Sequence, residues 1–510
     1  MNVPAKLLFH KFDTNDPLLA YADTTNQILY LHSYLCEQGT QSVIEEQNYF
    51  DRDYLAEHAS FYSISSKGYP NVCRRLHFFS RKIVKSTLKN AMAGGIRSIN
   101  NLQASYLGFI VLRPIPSAPL GRTVLAWFPE NNQNLPRVTN PSREYTIHLA
   151  GIELSVEGLA WQQQDSAVGA CATVGLWTML HSSSFDDLHS IPTTVEITQA
   201  ANRNATYGRP IFPSKGLTHY QLFDAIREQN LMPMVIEGDV KVKGTPCGFK
   251  RSRFVSNCAS FIRSGYPILL WVNTNIGAHI VVVGGFRSST PSNSIPDSVG
   301  SDDIEMAHLY IHDDNIGPHV RMRIVEYSKE GKTFINLVAD PPVLTKENLF
   351  MQHTSPYDFM IPTRMYVAAH SEVRLSPDHF NKTGLQYTNW ILAQLRSVGW
   401  GGDLLFSTRY IKICDYLGRG LYRSLGDTPQ LMAKVRLDLT EKVVPMSLHI
   451  GLLRVGWRDG SRLLDVLYDT TDSDGNMGVF ASVCYLELGA DLARIGNNAG
   501  LNYGEIIKAY

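Results

Sequence analysis

A chain of 510 residues, 44% hydrophobic and 18% charged, is too long for one hydrophobic core and too apolar for disorder, so two to four domains are expected. Lys plus Arg equals Asp plus Glu at 47 each, for a formal net charge of zero, and no run of like charge forms a basic arm, so nucleic acid is not the expected partner. The seven cysteines, at positions 36, 73, 171, 247, 258, 414 and 484, are widely spaced with no C-x-x-C pair, which predicts free thiols in a reducing, cytoplasmic compartment.

The amino terminus, "MNVPAKLLFHKFDTNDPLL", is broken by charged residues and lacks the continuous apolar core of a signal peptide. "YPILLWV" and "HIVVVGGF" are far shorter than the ~18 residues a membrane span needs, so no membrane is expected as a partner. From 1 to 150 a helical "NYFDRDYLAEHASFY" and a strand-like "ASYLGFIVLRPIPSAPLGRTVLAWF" predict an α+β domain. The polar "FPENNQNLPRVTNPSREY" reads as a boundary loop, followed by one strand, "YTIHLAGIEL", with the border near Gly151.

In the middle region, 151 to 365, Val174, Leu176, Trp177 and Leu180 recur at helical spacing from Cys171, so a helix starts close to that cysteine. Thr218 followed by Gln221 is a capping box for a second helix. "FVSNCASFIRSGYPILLWV" reads as a third helix, stopped by Gly265 and Pro267, then a strand through Trp271. "GAHIVVVGGF" is a buried strand, "RSSTPSNSIPDSVGSDD" a polar loop, and "MAHLYIHDD" the next strand. From 366 to 510 helical "YTNWILAQLRSV" alternates with strand-like "VVPMSLHIGLLRV" and "RLLDVLYDTT", an α/β region without a legible chemical motif.

The chemistry sits in the middle region. A thiol attacks only as its thiolate, and a helix amino terminus with a neighbouring histidine is the usual way to favour that form. Cys171 has the helix start. His279 opens the strand after "NIGA" and supplies an imidazole, and Asp313, Asp314 and Asn315 follow the next strand as groups able to hold that ring in its tautomer. In "WQQQDSAVGAC", Gln163 or Gln164 supplies a side-chain amide that can donate to an oxyanion beside the backbone N–H of the nucleophile. Chain order is then Gln, Cys, His, Asp.

Four pieces, "QQQDSAVGACATVGLW", "IRSGYPILLWV", "GAHIVVVGGF" and "LYIHDDNIG", make residues 161 to 323 resemble a papain-like cysteine peptidase of the bacteriocin-processing kind. The resemblance implies a core with a helix bearing the cysteine and an antiparallel sheet bearing the histidine and aspartate. It implies Cys171 as nucleophile, His279 as general base, Asp313 as orienting acid and Gln164 as oxyanion donor, acting on a peptide or isopeptide bond of a protein or peptide substrate. The sequence departs from that pattern at Ala172, where a glycine is usual, at Asp314, where a proline is usual, and at Gln164, seven rather than six residues before the cysteine. The same residues would equally serve a deamidase, transglutaminase or acyltransferase, and a papain-like scaffold can also be a non-catalytic interaction module. The sequence does not fix an oligomeric state.

No cofactor or metal is expected. His308 and His312 lie four apart on a predicted strand, about 13 Å from one another, too far to share one zinc. No G-x-S-x-G, Walker or H-E-x-x-H pattern occurs, so serine esterase, nucleotide hydrolase and zincin chemistry have no local support.

Overall fold

The computed structural model describes residues 6–20, 25–129, 137–165, 167–187, 190–204, 211, 212, 214, 216–288, 306–329, 331–340, 355–402, 404–421, 429–443, 446–457, 461–471 and 478–510. Of the polar loop predicted over 287–303, Arg287 and Ser288 instead end the strand Gly277–Ser288, and the rest lies outside the described residues. The chain is α+β throughout.

The first unit is a five-stranded antiparallel sheet whose strands are neighbours in chain order: Leu7–Lys11, Ser42–Tyr49, Cys73–Phe79, Tyr106–Leu112 and Leu120–Leu125. The helix expected in "NYFDRDYLAEHASFY" runs over Arg52–Ser60. Asp51 starts it by accepting from the backbone N–H groups of Asp53 and Tyr54 at 3.1 and 3.2 Å, as an N-cap carboxylate should. The "YTIHLAGIEL" segment is not one strand. It belongs to a hairpin of Arg143–Leu149 and Ile152–Gly158, turned by Ala150 and Gly151 at φ 50° and 83°. Two consecutive positive φ values are what a two-residue hairpin turn needs. The expected border at Gly151 thus falls on the tip of a hairpin.

The middle unit is an eight-stranded sheet. Its main path is Lys332–Ala339, Gly317–Lys329, Met306–Asp313, Gly277–Ser288, Ile268–Thr274, Met360–His370 and Leu231–Glu237, every pair antiparallel. Short Arg137–Val138 pairs with Gly277–Ser288 off that path. The strand Met360–His370 crosses the border expected at 366 and inserts between strands that lie some 90 to 130 residues earlier. The helix Cys171–Leu180 lies against this sheet, where the missing side chain of Gly175 makes room: a Cβ there would meet Leu269 Cδ2 at 3.0 Å and Ile280 Cγ2 at 3.2 Å. The capping box at Thr218 forms, with Thr218 N donating to Gln221 Oε1 at 2.9 Å. The third helix, Arg251–Arg263, stops before Gly265, whose φ is 81°.

The last unit has a second five-stranded sheet: Leu404–Lys412, His449–Trp457, Arg462–Asp469, Val479–Cys484 and Glu505–Lys508. Only its final pair is parallel, joined across the helix Glu487–Asn498, so this region is α+β rather than the α/β that alternating elements suggested. Among the described residues no helix is long and apolar enough to cross a membrane.

Candidate active site

The segment entering the cysteine helix is held residue by residue. Trp161 exchanges backbone hydrogen bonds with Thr123 at 2.9 and 2.8 Å, and its indole Nε1 donates to the carbonyl of Asp313 at 3.1 Å. Three successive glutamines then go to three different places. Gln162 Nε2 donates to Glu57 Oε1 at 2.9 Å, inside the first unit. Gln163 is consumed by the edge of the first sheet: its Oε1 accepts from Leu120 N at 3.2 Å, its N–H donates to Leu120 O at 3.0 Å, and its carbonyl accepts from Arg113 Nη2 at 3.1 Å. Gln164 alone reaches the middle sheet, where its Nε2 donates to Asn315 Oδ1 at 2.9 Å.

Asp165 closes the turn that follows. Its Oδ1 accepts from the N–H groups of Ala167, Val168 and Gly169 at 2.8, 2.6 and 2.9 Å, a local side-chain turn of the kind aspartate favours. The chain leaves this turn in extended conformation at Ala170, φ −65° and ψ 159°, and Cys171 is the first helical residue, half-buried. All seven cysteines are free thiols. Burial pushes the thiols of Cys73 and Cys258 up, and that of Cys484 up to about 12, which leaves those three inert.

His279 is buried near the start of the strand Gly277–Ser288. Its Nε2 lies 3.1 Å from Asp313 Oδ1 and 3.2 Å from Asp314 Oδ1. Asp313 Oδ1 also accepts from the N–H of Asn315 at 2.9 Å and from the hydroxyl of Tyr357 at 3.2 Å, and Asn315 Nδ2 donates to Tyr357 at 2.9 Å. The structure therefore joins His279, Asp313, Asp314, Asn315, Gln164 and Tyr357 in one polar cluster. Tyr357 is the member that sequence reasoning missed, and nothing in "SPYDFM" signals it.

Cys171 is not hydrogen-bonded to His279 among the described residues, so the cluster holds three of the four expected residues and does not include the cysteine. Its direction is set by the helix. Gly175, one turn on and on the same face, packs between Leu269 and Ile280, while Met179 Sδ, a further turn on, accepts from the N–H of Ala368 at 3.3 Å. Ala368 lies beyond Tyr366, which pairs with Leu269, whereas Ile280 adjoins His279. The helix thus runs along the sheet with its cysteine end toward the histidine end.

Burial by itself lowers the basicity of the His279 ring, but Asp314 and then Asp313 outweigh it and hold the imidazole well above its ordinary value. Burial pushes Asp314 above the usual carboxylate range, with a smaller push from Asp313 and against the opposing pull of His279. Both oxygens approach the same Nε2. Burial also pushes the Tyr357 phenol up, keeping it a donor. The other histidines are used differently: His312 Nε2 and His319 Nδ1 are 3.3 Å apart, His308 stands edge-on to Tyr310, and these three form no ligand cluster among the described residues.

No family model matches the chain, and no curated protein sequence matches it. Its chemistry has to be argued from the site itself.

Proposed function

We propose that the middle unit is a papain-like thiol hydrolase, cleaving a peptide or isopeptide bond through an acyl-enzyme on Cys171. The observation that supports this most is the His279 ring, gripped at Nε2 by Asp313 in a cluster that also contains Gln164, on the end of the sheet toward which the helix led by Cys171 points. With Nε2 engaged, Nδ1 is the nitrogen left for the thiol. The Sγ thiolate attacks the acyl carbon, the C–N bond breaks, and the imidazolium gives its proton to the leaving amine. Water, deprotonated by the same ring, then hydrolyses the thioester. Gln164 has two amide protons and spends one on Asn315, so the second is free to meet the oxyanion together with the backbone N–H of Cys171. Catalytic hydrogen bonds are often long before substrate binds, which accommodates the unbonded thiol. Seven free thiols fit a cytoplasmic setting.

The test is competitive labelling. Cys414 is exposed and Cys171 is half-buried, so access alone makes Cys414 react first with iodoacetamide. Faster labelling of Cys171, slowed by His279→Ala near neutral pH, is the expected result, and labelling in order of exposure sinks the proposal. A new amino terminus in a peptide substrate separates hydrolysis from deamidation, which adds about one dalton, and from acyl transfer to an amine. The unbonded Cys171 favours a second reading, a non-catalytic interaction module on the same scaffold; under it Cys171→Ala leaves every measured activity of the protein unchanged.

A further inference from the structure

The second aspartate has no place in a three-residue relay. Asp314 is buried, 5% exposed, and the one side-chain donor near its carboxylate among the described residues is His279 Nε2, 3.2 Å from Oδ1 and shared with Asp313; Asp314 Oδ2 and Asp313 Oδ2, the latter on a residue with no exposure at all, have no hydrogen-bond partner there. A buried carboxylate without donors costs several kcal/mol unless a cation meets it. The ring of His279 answers only part of this, because one N–H faces two carboxylates.

The ligand atoms of His279, Asp313 and Asp314 all fall within 4.8 Å of one another. Zinc bound tetrahedrally at 2.0–2.2 Å holds neighbouring ligand atoms about 3.4 Å apart. The two N···O separations here are 3.1 and 3.2 Å, and all three ligand atoms keep within 4.8 Å of one another, so a small adjustment of the two carboxylates brings all three onto one ion. Outer contacts orient the set: Asn315 N–H and the Tyr357 hydroxyl fix the Asp313 carboxylate, the kind of second layer that metal ligands need. One nitrogen and two carboxylate oxygens suit zinc or another borderline divalent ion, and leave a coordination position for water.

We propose that His279, Asp313 and Asp314 form a three-ligand site for a divalent cation, zinc by preference, and that its occupation silences the thiol chemistry of the same centre. The ion bonds to Nε2 with loss of that proton to solvent. The neutral ring then keeps its remaining proton on Nδ1 and has no lone pair to offer Cys171 or water. The silencing rests on the hydrolase reading; the binding does not.

The experiment separates the two. Full-length Cys171→Ala protein, which has no nucleophile, is titrated with zinc ion alone, and its melting temperature is followed with and without zinc. One saturable equivalent is expected, with a rise in melting temperature. In the same background Asp314→Asn, isosteric and relieved of a buried charge, should bind at least about tenfold more weakly and lose the rise; His279→Gln should do likewise. Unsaturable uptake, uptake unchanged by both substitutions, or binding lost on Cys171→Ala alone each overturns the site. In wild-type protein zinc should stop iodoacetamide from favouring Cys171, and EDTA should restore the preference. Zinc binding without any thiol reactivity defeats only the hydrolase, and reactivity without zinc binding defeats only the metal site.

Discussion

Replacing Asp165 by alanine should loosen the approach to Cys171 without unfolding the protein. The Asp165 carboxylate is buried, and a single oxygen accepts three backbone N–H groups, from Ala167, Val168 and Gly169. Hydrogen bonds to a charged acceptor contribute about 1.5–3 kcal/mol each. Three on one oxygen compete, so their sum overstates the effect, and removing one partner of a buried charged group typically costs about 3–5 kcal/mol. Arg113 moderates the loss. It lies 3.7 Å from Asp165 but keeps Glu57 at 2.9 Å. A net local cost of about 4 kcal/mol corresponds to about a thousandfold at 1.4 kcal/mol per decade. Hydrogen exchange reads it directly: the amides of residues 167–169 should exchange about a thousandfold faster, while those of the strand Ile268–Thr274 keep their protection. Asp165→Asn should cost less, because Oδ1 still accepts, although its amide nitrogen then faces the Arg113 guanidinium. If protection of 167–169 survives the alanine substitution, the aspartate does not organise this turn and the account of how Cys171 is placed fails.

Gly175→Ala adds a Cβ 3.0 Å from Leu269 Cδ2 and 3.2 Å from Ile280 Cγ2; overpacking of this kind costs about 1–3 kcal/mol against about 1 kcal/mol of gained helix propensity, so urea midpoints should fall slightly, and a rise would show that helix and sheet are less tightly packed than described. Asp465, buried, pairs with Arg454 through two contacts of 2.8 Å and accepts from Tyr485 and Tyr416; Asp465→Ala removes this buried carboxylate from the guanidinium and both phenols and should cost about 3–5 kcal/mol, read as early unfolding of the last unit in urea. His32 sits 3.2 Å from Asp16; burial opposes its charge, but the hydrogen bonds to Asp16 and Cys36 outweigh that and hold the ring up at about 9. A histidine raised above its unfolded value stabilises fully below pH ~6.5, and the contribution disappears as pH rises through about 9. Asp16→Asn should therefore lower the melting temperature at pH 6 much more than at pH 9.5, and an equal loss at both would exclude the charged pair.

What was legible in the sequence was local. The start of the cysteine helix, the Thr218–Gln221 box and the Gly265–Pro267 stop are written within a few residues of the features they determine, and each forms as expected. The hairpin around Ala150 was not legible, because alanine rarely takes positive φ and gives no turn signal. Nor was the strand Met360–His370 legible as part of the middle sheet. Its hydrophobic run is ordinary, and only its pairing with Ile268–Thr274 and Leu231–Glu237 assigns it there. The histidine and aspartate strands were readable because each carries its polar residue at the end of a β-branched or alternating run. The choice between Gln163 and Gln164 was not, since it depends on Leu120, more than forty residues away, taking Gln163 for its own backbone. The places of Tyr357 and Asp314 in the cluster depend in the same way on distant partners.

The three glutamines explain why the first unit belongs to the site. Gln162 is held by Glu57 of the helix Arg52–Ser60, and Glu57 also accepts from Thr194 at 2.8 Å and from Arg113 at 2.9 Å. Gln163 continues the first sheet past Leu120, and Gln164 ends on the histidine cluster. Adjacent residues of an extended segment point in opposite directions, so a run of three similar side chains can tie two packed units together while facing one partner after another. Burial keeps these bonds exclusive: Glu57 has no exposure and Gln162 and Gln163 have almost none, so water cannot substitute for a lost partner. A shift of the first unit would therefore be transmitted through two fixed glutamines to the third, and from there to Asn315 and the ring of His279. On this wiring, the first unit is a structural part of the polar cluster around His279.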